Sequence, residues 1–419
     1  MNTENNNIAE KAAENNVAAS VAETLTDSDV TAHTAAMWKY NPVPDSPEPY
    51  PEFSAEAKMD DNFDVIAAAV RGKKHKHDGT NCDDNFAFDI KNGVLIAAAA
   101  DGAGSKPFSR IGARAACDAV IKYAKARLSA IENSTPNYRE ALGKPFDNAE
   151  FSAVCSELAG LVRDSCTEAF AAVDAAFEKR KDIAEFEQAI GRKPELKDFS
   201  STLLMAVAIP VETENGREYF TAAIQLGDGM IAAVDENAEF ENALIILGGA
   251  DSGSFAGETE FITSEQMRTA DSLKSRTKIR RGKMTSLMLM TDGVADDYYP
   301  NNPQLLKLVL DLKLNGIMEI NDNGIAMLDE VKIPDPVAYP WVNDGDIKYA
   351  LQYAKNVLSE SGFDLETLWA RRDVQKRASL EAFGIVHEKE RQEMLKLWLD
   401  NYVERGSFDD RTLVLINVK

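Results

Sequence analysis

Four short acidic segments punctuated by glycine constrain this chain more than any other feature. They are Asn81-Cys82-Asp83-Asp84, Asp101-Gly102-Ala103-Gly104-Ser105, Thr291-Asp292-Gly293 and Asp409-Asp410-Arg411-Thr412. Each abuts an apolar, strand-like run: residues 86–90 follow Asp84, 94–100 precede Asp101, 287–290 precede Asp292 and 412–418 follow Asp409. One Asp-Gly pair reads as a hairpin turn. Four carboxylate-bearing strand ends read together as one site, because oxygen ligands on a rigid sheet suit hard divalent cations such as Mg²⁺ or Mn²⁺. A fold that satisfies this pattern must bring the chain's end back to its early strands.

The pattern along the chain fits that requirement. Residues 1–60 combine an Ala/Glu/Asn bias with Pro42, Pro44, Pro47, Pro49 and Pro51 and few large aliphatics, which reads as a disordered acidic tail. From Phe63 onward, short apolar runs at 65–70, 85–90 and 94–100 predict adjacent buried strands. Helical spacing follows at 111–128 and 151–177, and strand signals return at 202–210, 220–226, 230–234, 244–247 and 287–290. Strands and helices in blocks predict an α+β layered fold rather than an alternating parallel one. Residues 297–406 read as mostly helical, broken by Pro334, Pro336 and Pro340, and form an insertion before the last strand. The expected organisation is a tail at 1–60 and one domain at 61–419 that includes this insertion.

Charge narrows the partners. With 46 basic and 69 acidic residues in 419, the formal charge is −23, which disfavours nucleic acid and anionic membrane surfaces. The chain has four cysteines and no Cys-x-x-Cys pair, which argues against a zinc knuckle or a redox motif. There is no signal-peptide core near Met1 and no apolar run of membrane-spanning length, so a cytoplasmic location is expected.

In order and content, these segments resemble the metal-dependent serine/threonine protein phosphatases of type 2C, the PPM family, over roughly residues 63–419. Asp83-Asp84 resembles the family's first acidic pair, Asp101-Gly102-Ala103-Gly104 its Asp-Gly-x-Gly, and Ser200-Ser201-Thr202 its small-residue strand start. Gly227-Asp228, Thr291-Asp292-Gly293 and Asp409-Asp410-Arg411-Thr412 follow in family order. A bacterial subgroup is closer still: its His-x-x-x-Gly-x-x-Cys-Gln-Asp element is similar to His75, Gly79, Cys82 and Asp84, and its Asp-Gly-Ala-Gly-Ser is present.

The resemblance implies a four-layer α-β-β-α sandwich, two mainly antiparallel sheets flanked by helices. It also implies that Asp84, Asp101, Asp292 and Asp409, with the Gly102 carbonyl, hold two Mn²⁺ or Mg²⁺ ions, and that Asp198 or Asp228 serves a third. Water or hydroxide bridging the two ions would displace the phosphoryl group in line, with no covalent intermediate. The partners implied are a phosphoprotein substrate and a cognate serine/threonine kinase.

Two departures bear on activity. Ala103 stands where many animal relatives carry a candidate leaving-group acid, and Asp78 falls near the place of their phosphate-holding arginine, which leaves His75 as the preferred phosphate contact. These departures keep open a second reading, a catalytically weak phosphatase-like binding or regulatory module. A haloacid-dehalogenase arrangement is disfavoured, since no Asp-x-Asp ends a strand at Asp101.

Overall fold

The computed structural model describes residues 39–238, 242–248, 260–298, 391–401 and 408–419, together with 301, 305–306, 308–309, 312 and 317–318. Strands β1 (Phe53–Met59), β2 (Phe63–Val70), β3 (Asn85–Lys91), β4 (Val94–Ala100), β5 (Leu203–Thr213), β6 (Gly216–Leu226), β7 (Met230–Val234), β8 (Leu244–Gly248), β9 (Thr277–Gly282), β10 (Ser286–Met290) and β11 (Arg411–Val418) form two sheets. One has the order β1-β2-β11-β10-β7-β8 and the other β3-β4-β5-β6-β9. Every pairing in both sheets is antiparallel.

The sheets meet face to face through Val65, Ala67, Leu95, Ala97, Leu287 and Val414 among others. The alanine runs 67–69 and 97–100 keep this seam thin, and their strands are buried on both faces. Buried strands of this kind read as continuous apolar runs instead of alternating ones. On the outer face of the five-stranded sheet lie two long helices, α2 (Ser109–Ser134) and α3 (Ala149–Arg180). Helix α3 starts where Asn148 Oδ1 accepts the Glu150 and Phe151 N–H groups at 2.8 and 3.4 Å, an N-cap. The outer face of the six-stranded sheet is covered by Leu305, Leu308, Val309 and Leu312 and by the helix Arg391–Asn401, with Leu395, Trp398 and Leu399 turned inward. The architecture is the expected four-layer α+β sandwich. Its fourth layer is supplied by the two ends of the 297–406 segment. That segment is therefore part of the core's cover where it is described; the middle of the expected helical insertion, with its breakers Pro334, Pro336 and Pro340, lies outside the described residues.

The expected tail boundary at residue 60 falls inside the sheet. Phe53 pairs with Val70 and Met59 with Asp64, so β1 belongs to the body. Ahead of it, the proline-rich segment is pinned to the domain: Arg110 donates to the carbonyls of Pro47 (2.7 Å) and Glu48 (3.0 Å), and the Tyr50 N–H donates to Asn81 Oδ1 at 2.9 Å. Pro-rich backbone offers few N–H donors but retains its carbonyls. A buried guanidinium is the complementary partner, and no hydrophobic signal in the sequence marks it. Residues 1–38 lie outside the described residues. No described helix is long and apolar enough to cross a membrane.

Candidate metal centre

Antiparallel pairing gathers the acidic segments at one end of the sandwich. Asn85 at the start of β3 faces Ala100 at the end of β4, which places Asp84 beside Asp101. Met290 at the end of β10 faces Leu413 near the start of β11 and Met230 at the start of β7, which brings Asp292, the Asp409-Asp410 turn and Asp228 to the same edge. Carboxylate oxygens of Asp101, Asp228 and Asp292 all lie within 4.8 Å of one another, and all three residues are partly exposed. Three oxygens at that spacing fit a hard divalent cation that keeps some of its water.

Hydroxyls and backbone fix the ligand candidates. Thr291 Oγ1 donates to Asp84 Oδ2 at 2.8 Å while accepting the Thr412 N–H at 3.0 Å, so one side chain ties β10, β11 and the Asp84 carboxylate. The other oxygen, Asp84 Oδ1, is buried and makes no hydrogen bond of normal geometry. Buried carboxylate oxygens without donors are costly and point to a cation. The Asp101 N–H donates to Thr202 Oγ1 at 2.9 Å, and the Thr202 N–H returns to the Asp101 carbonyl at 2.8 Å. A Cβ on Gly102 would sit 2.5 Å from the Asp83 carbonyl, so this turn accepts only glycine.

The electrostatics carry the same message. Burial, then the charges of Asp292, Asp84 and Asp228, pushes the Asp101 carboxyl well up. Burial, then Asp410 with Asp292 behind it, does the same to Asp84, against the hydroxyls of Thr412 and Thr291. Asp292 is raised to about 7 by burial and by Asp228, Asp409 and Asp296. Carboxyls with raised pKa favour the native state when protonated, and that contribution fades as pH rises from the unfolded value, about 3.9, through 7. With a chelator present, the melting temperature is therefore expected to fall between pH 5 and 7.5 more steeply than that of Asp292→Asn. Equal slopes would contradict this account of the cluster.

The structure rearranges several sequence-predicted roles. Asp228, expected at a looser third metal, stands within the tight cluster. Asp198, the other such candidate, does not: Arg192 grips its two oxygens at 2.6 and 2.7 Å and the Glu195 N–H donates to Oδ2 at 2.8 Å, so it is a structural ion pair closing a short turn. Asp409 is outside the tight cluster and groups with His75 and Asp410. His75, the expected phosphate contact, lies on a short helix, α1 (Lys73–Asp78). It is 4% exposed, with Nδ1 2.9 Å from Asp410 Oδ2 and Nε2 3.6 Å from Asp409 Oδ1. Both nitrogens therefore face carboxylates. Burial lowers the His75 pKa, but the contact with Asp410 and the charges of Asp410, Asp83 and Asp409 outweigh this and raise it to about 9.

Sequence reading missed Asp296, a solvent-exposed residue whose carboxyl is nonetheless raised by partial desolvation and by the charge of Asp228. Its spacing was the available signal, since four residues after Asp292 is one helical turn and returns to the same face.

A profile described as protein phosphatase 2C matches residues 71–315, more than half of the chain. The chain belongs to the protein phosphatase 2C family. As a member it is a metal-dependent protein serine/threonine phosphatase, and the matched stretch contains Asp84, Asp101, Asp228 and Asp292, while Asp409 lies beyond it. No curated protein matches the sequence. Among solved structures, a serine-threonine phosphatase 2C from Toxoplasma gondii is similar over 88% of this chain and 100% of its own, with 14% identity and a TM-score of 0.38. The serine/threonine phosphatase Stp1 from Staphylococcus aureus is similar over 91% of this chain and 98% of its own, with 10% identity and a TM-score of 0.36. TM-scores this low add nothing to the family match.

Proposed function

We propose that this phosphatase hydrolyses phosphoserine and phosphothreonine on protein partners, opposing a cognate serine/threonine kinase in the cytoplasm, with two Mn²⁺ or Mg²⁺ ions held by its strand-end carboxylates. The observation that carries this reading is the convergence of Asp101, Asp228 and Asp292 within 4.8 Å. Asp84 and Asp409 flank that cluster and, with the Gly102 carbonyl, complete the proposed ligand set.

When bound, divalent cations would supply the positive charge that receives a phosphate dianion and would lower the pKa of a coordinated water. The chain's own residues do the rest. Thr291 and Thr202 hold the Asp84 carboxylate and the Asp101 backbone in place, so little reorganisation accompanies substrate arrival. The nucleophile is water, attacking phosphorus in line as the serine or threonine oxygen leaves. Cys82, near Asp84 in sequence, is a poor nucleophile: burial, then Asp410 and Asp84, pushes its thiol well up and keeps the proton on sulfur.

The test is phosphate release from an aryl phosphate and from phosphoserine peptides, with Mn²⁺, with Mg²⁺ and with excess chelator. Cation-dependent release from both substrates is expected. Release that survives chelation would sink the metal mechanism, and tight Mn²⁺ binding without turnover would favour the binding-module reading.

A further inference from the structure

Asp410 is 2% exposed and sits at the start of the last strand. Its Oδ1 accepts the Gly72 N–H at 2.6 Å, and its Oδ2 accepts the Asp83 N–H at 2.5 Å. His75 Nδ1 reaches the same Oδ2 at 2.9 Å, an ion-pair contact without the alignment of a full hydrogen bond. One carboxylate thus joins β11 to both ends of the segment 72–83, across a sequence separation of more than 320 residues. Both oxygens are occupied, so Asp410 is poorly placed to be a metal ligand itself. Its sequence neighbours are the candidates: Asp409 precedes it, and Asp84 follows the Asp83 whose N–H it holds. Asp409 Oδ1 in turn accepts the Asp410 N–H at 2.9 Å and lies 3.6 Å from His75 Nε2.

We infer that Asp410 is a positioning residue of the metal centre, and that with His75 it forms a clasp that sets Asp84 and Asp409 relative to each other. This inference rests on the function proposed above. Charge-assisted hydrogen bonds to buried backbone donors are strong and directional, and groups that orient ligands typically change metal affinity 10–100-fold when altered. Asn at position 410 would direct its NH₂ group at one of the two backbone N–H donors whichever way the amide turned. Gln at position 75 would keep bulk but lose the paired ring nitrogens.

The test uses the full chain and Mn²⁺ calorimetry on Asp410→Asn, His75→Gln and wild type. Melting in chelator and inhibition by inorganic phosphate are measured in parallel. Mn²⁺ affinity is expected to fall about 10–100-fold in Asp410→Asn and by a smaller factor in His75→Gln. At saturating Mn²⁺, phosphate inhibition and KM for aryl phosphate should stay close to wild type. Unchanged Mn²⁺ affinity in both variants, beside normal binding by wild type, overturns the clasp while leaving the proposed function intact. Weakened phosphate inhibition with intact Mn²⁺ affinity in His75→Gln also overturns it, in favour of a substrate contact. Should Asp410→Asn fail to fold, His75→Gln decides alone. A wild type that binds no Mn²⁺ and hydrolyses nothing fails the functional reading itself.

Discussion

Replacing Asp101 with asparagine is expected to reduce phosphate release about 1,000-fold, equivalent to about 4 kcal/mol of transition-state stabilisation. It should not unfold the protein. Asp101 is bracketed by Asp84, Asp228 and Asp292, whose charges, with burial, disfavour its ionised form. Its structural bond to Thr202 is made by its backbone N–H, which asparagine retains. In chelator the variant should therefore melt at or above the wild-type temperature, and added Mn²⁺ should stabilise it less than wild type. A purely structural aspartate would behave in the opposite way, losing stability in chelator and keeping turnover in whatever fraction stayed folded.

The second large effect concerns packing. A Cβ on Gly293 would lie 1.9 Å from the Asp410 carbonyl oxygen, and that obstacle is backbone. The Thr-Asp-Gly turn, which leads into the short helix Asp292–Ala295, is therefore pressed against the first residues of β11. Gly293→Ala must push β10 and β11 apart at the end that carries the site. Overpacking of this kind costs roughly 1–3 kcal/mol, and a rigid backbone neighbour places this case at or above the top of that range. Thermal melts in chelator should show the loss, and activity should fall with it because Asp292 and Asp409 separate. A variant as stable as wild type would mean that the turn does not pack as described.

Much of the fold was legible because its signals are local. The runs at 94–100 and 287–290 are apolar on both faces, and the carboxylates mark where they stop, so strand and strand end are read from the same few residues. The antiparallel registers then do what the sequence pattern required, placing Asp84 beside Asp101 and Asp292 beside Asp409-Asp410. What was not legible depends on partners distant in sequence. Asp198 looks like any other acidic residue near the site until Arg192 closes on it. His75 looks like part of a solvated basic run until Asp410, 335 positions later, meets its ring, the one buried side chain of that short helix. The strand Phe53–Met59 carries little apolar signal because it is an edge strand, ordered by pairing with β2 more than by burial of its own side chains. Asp228 sits in a Gly-Asp turn, which has a sufficient structural explanation by itself, and only the antiparallel pairing of β7 with β10 brings it to the edge that carries Asp292.

The most direct measurement is calorimetric titration of Mn²⁺ into chelator-stripped wild-type protein and into Asp101→Asn. The account predicts saturable binding of two ions to wild type, with at least one of them lost or strongly weakened in the variant. Absence of binding to wild type, or identical isotherms for the two proteins, would contradict it.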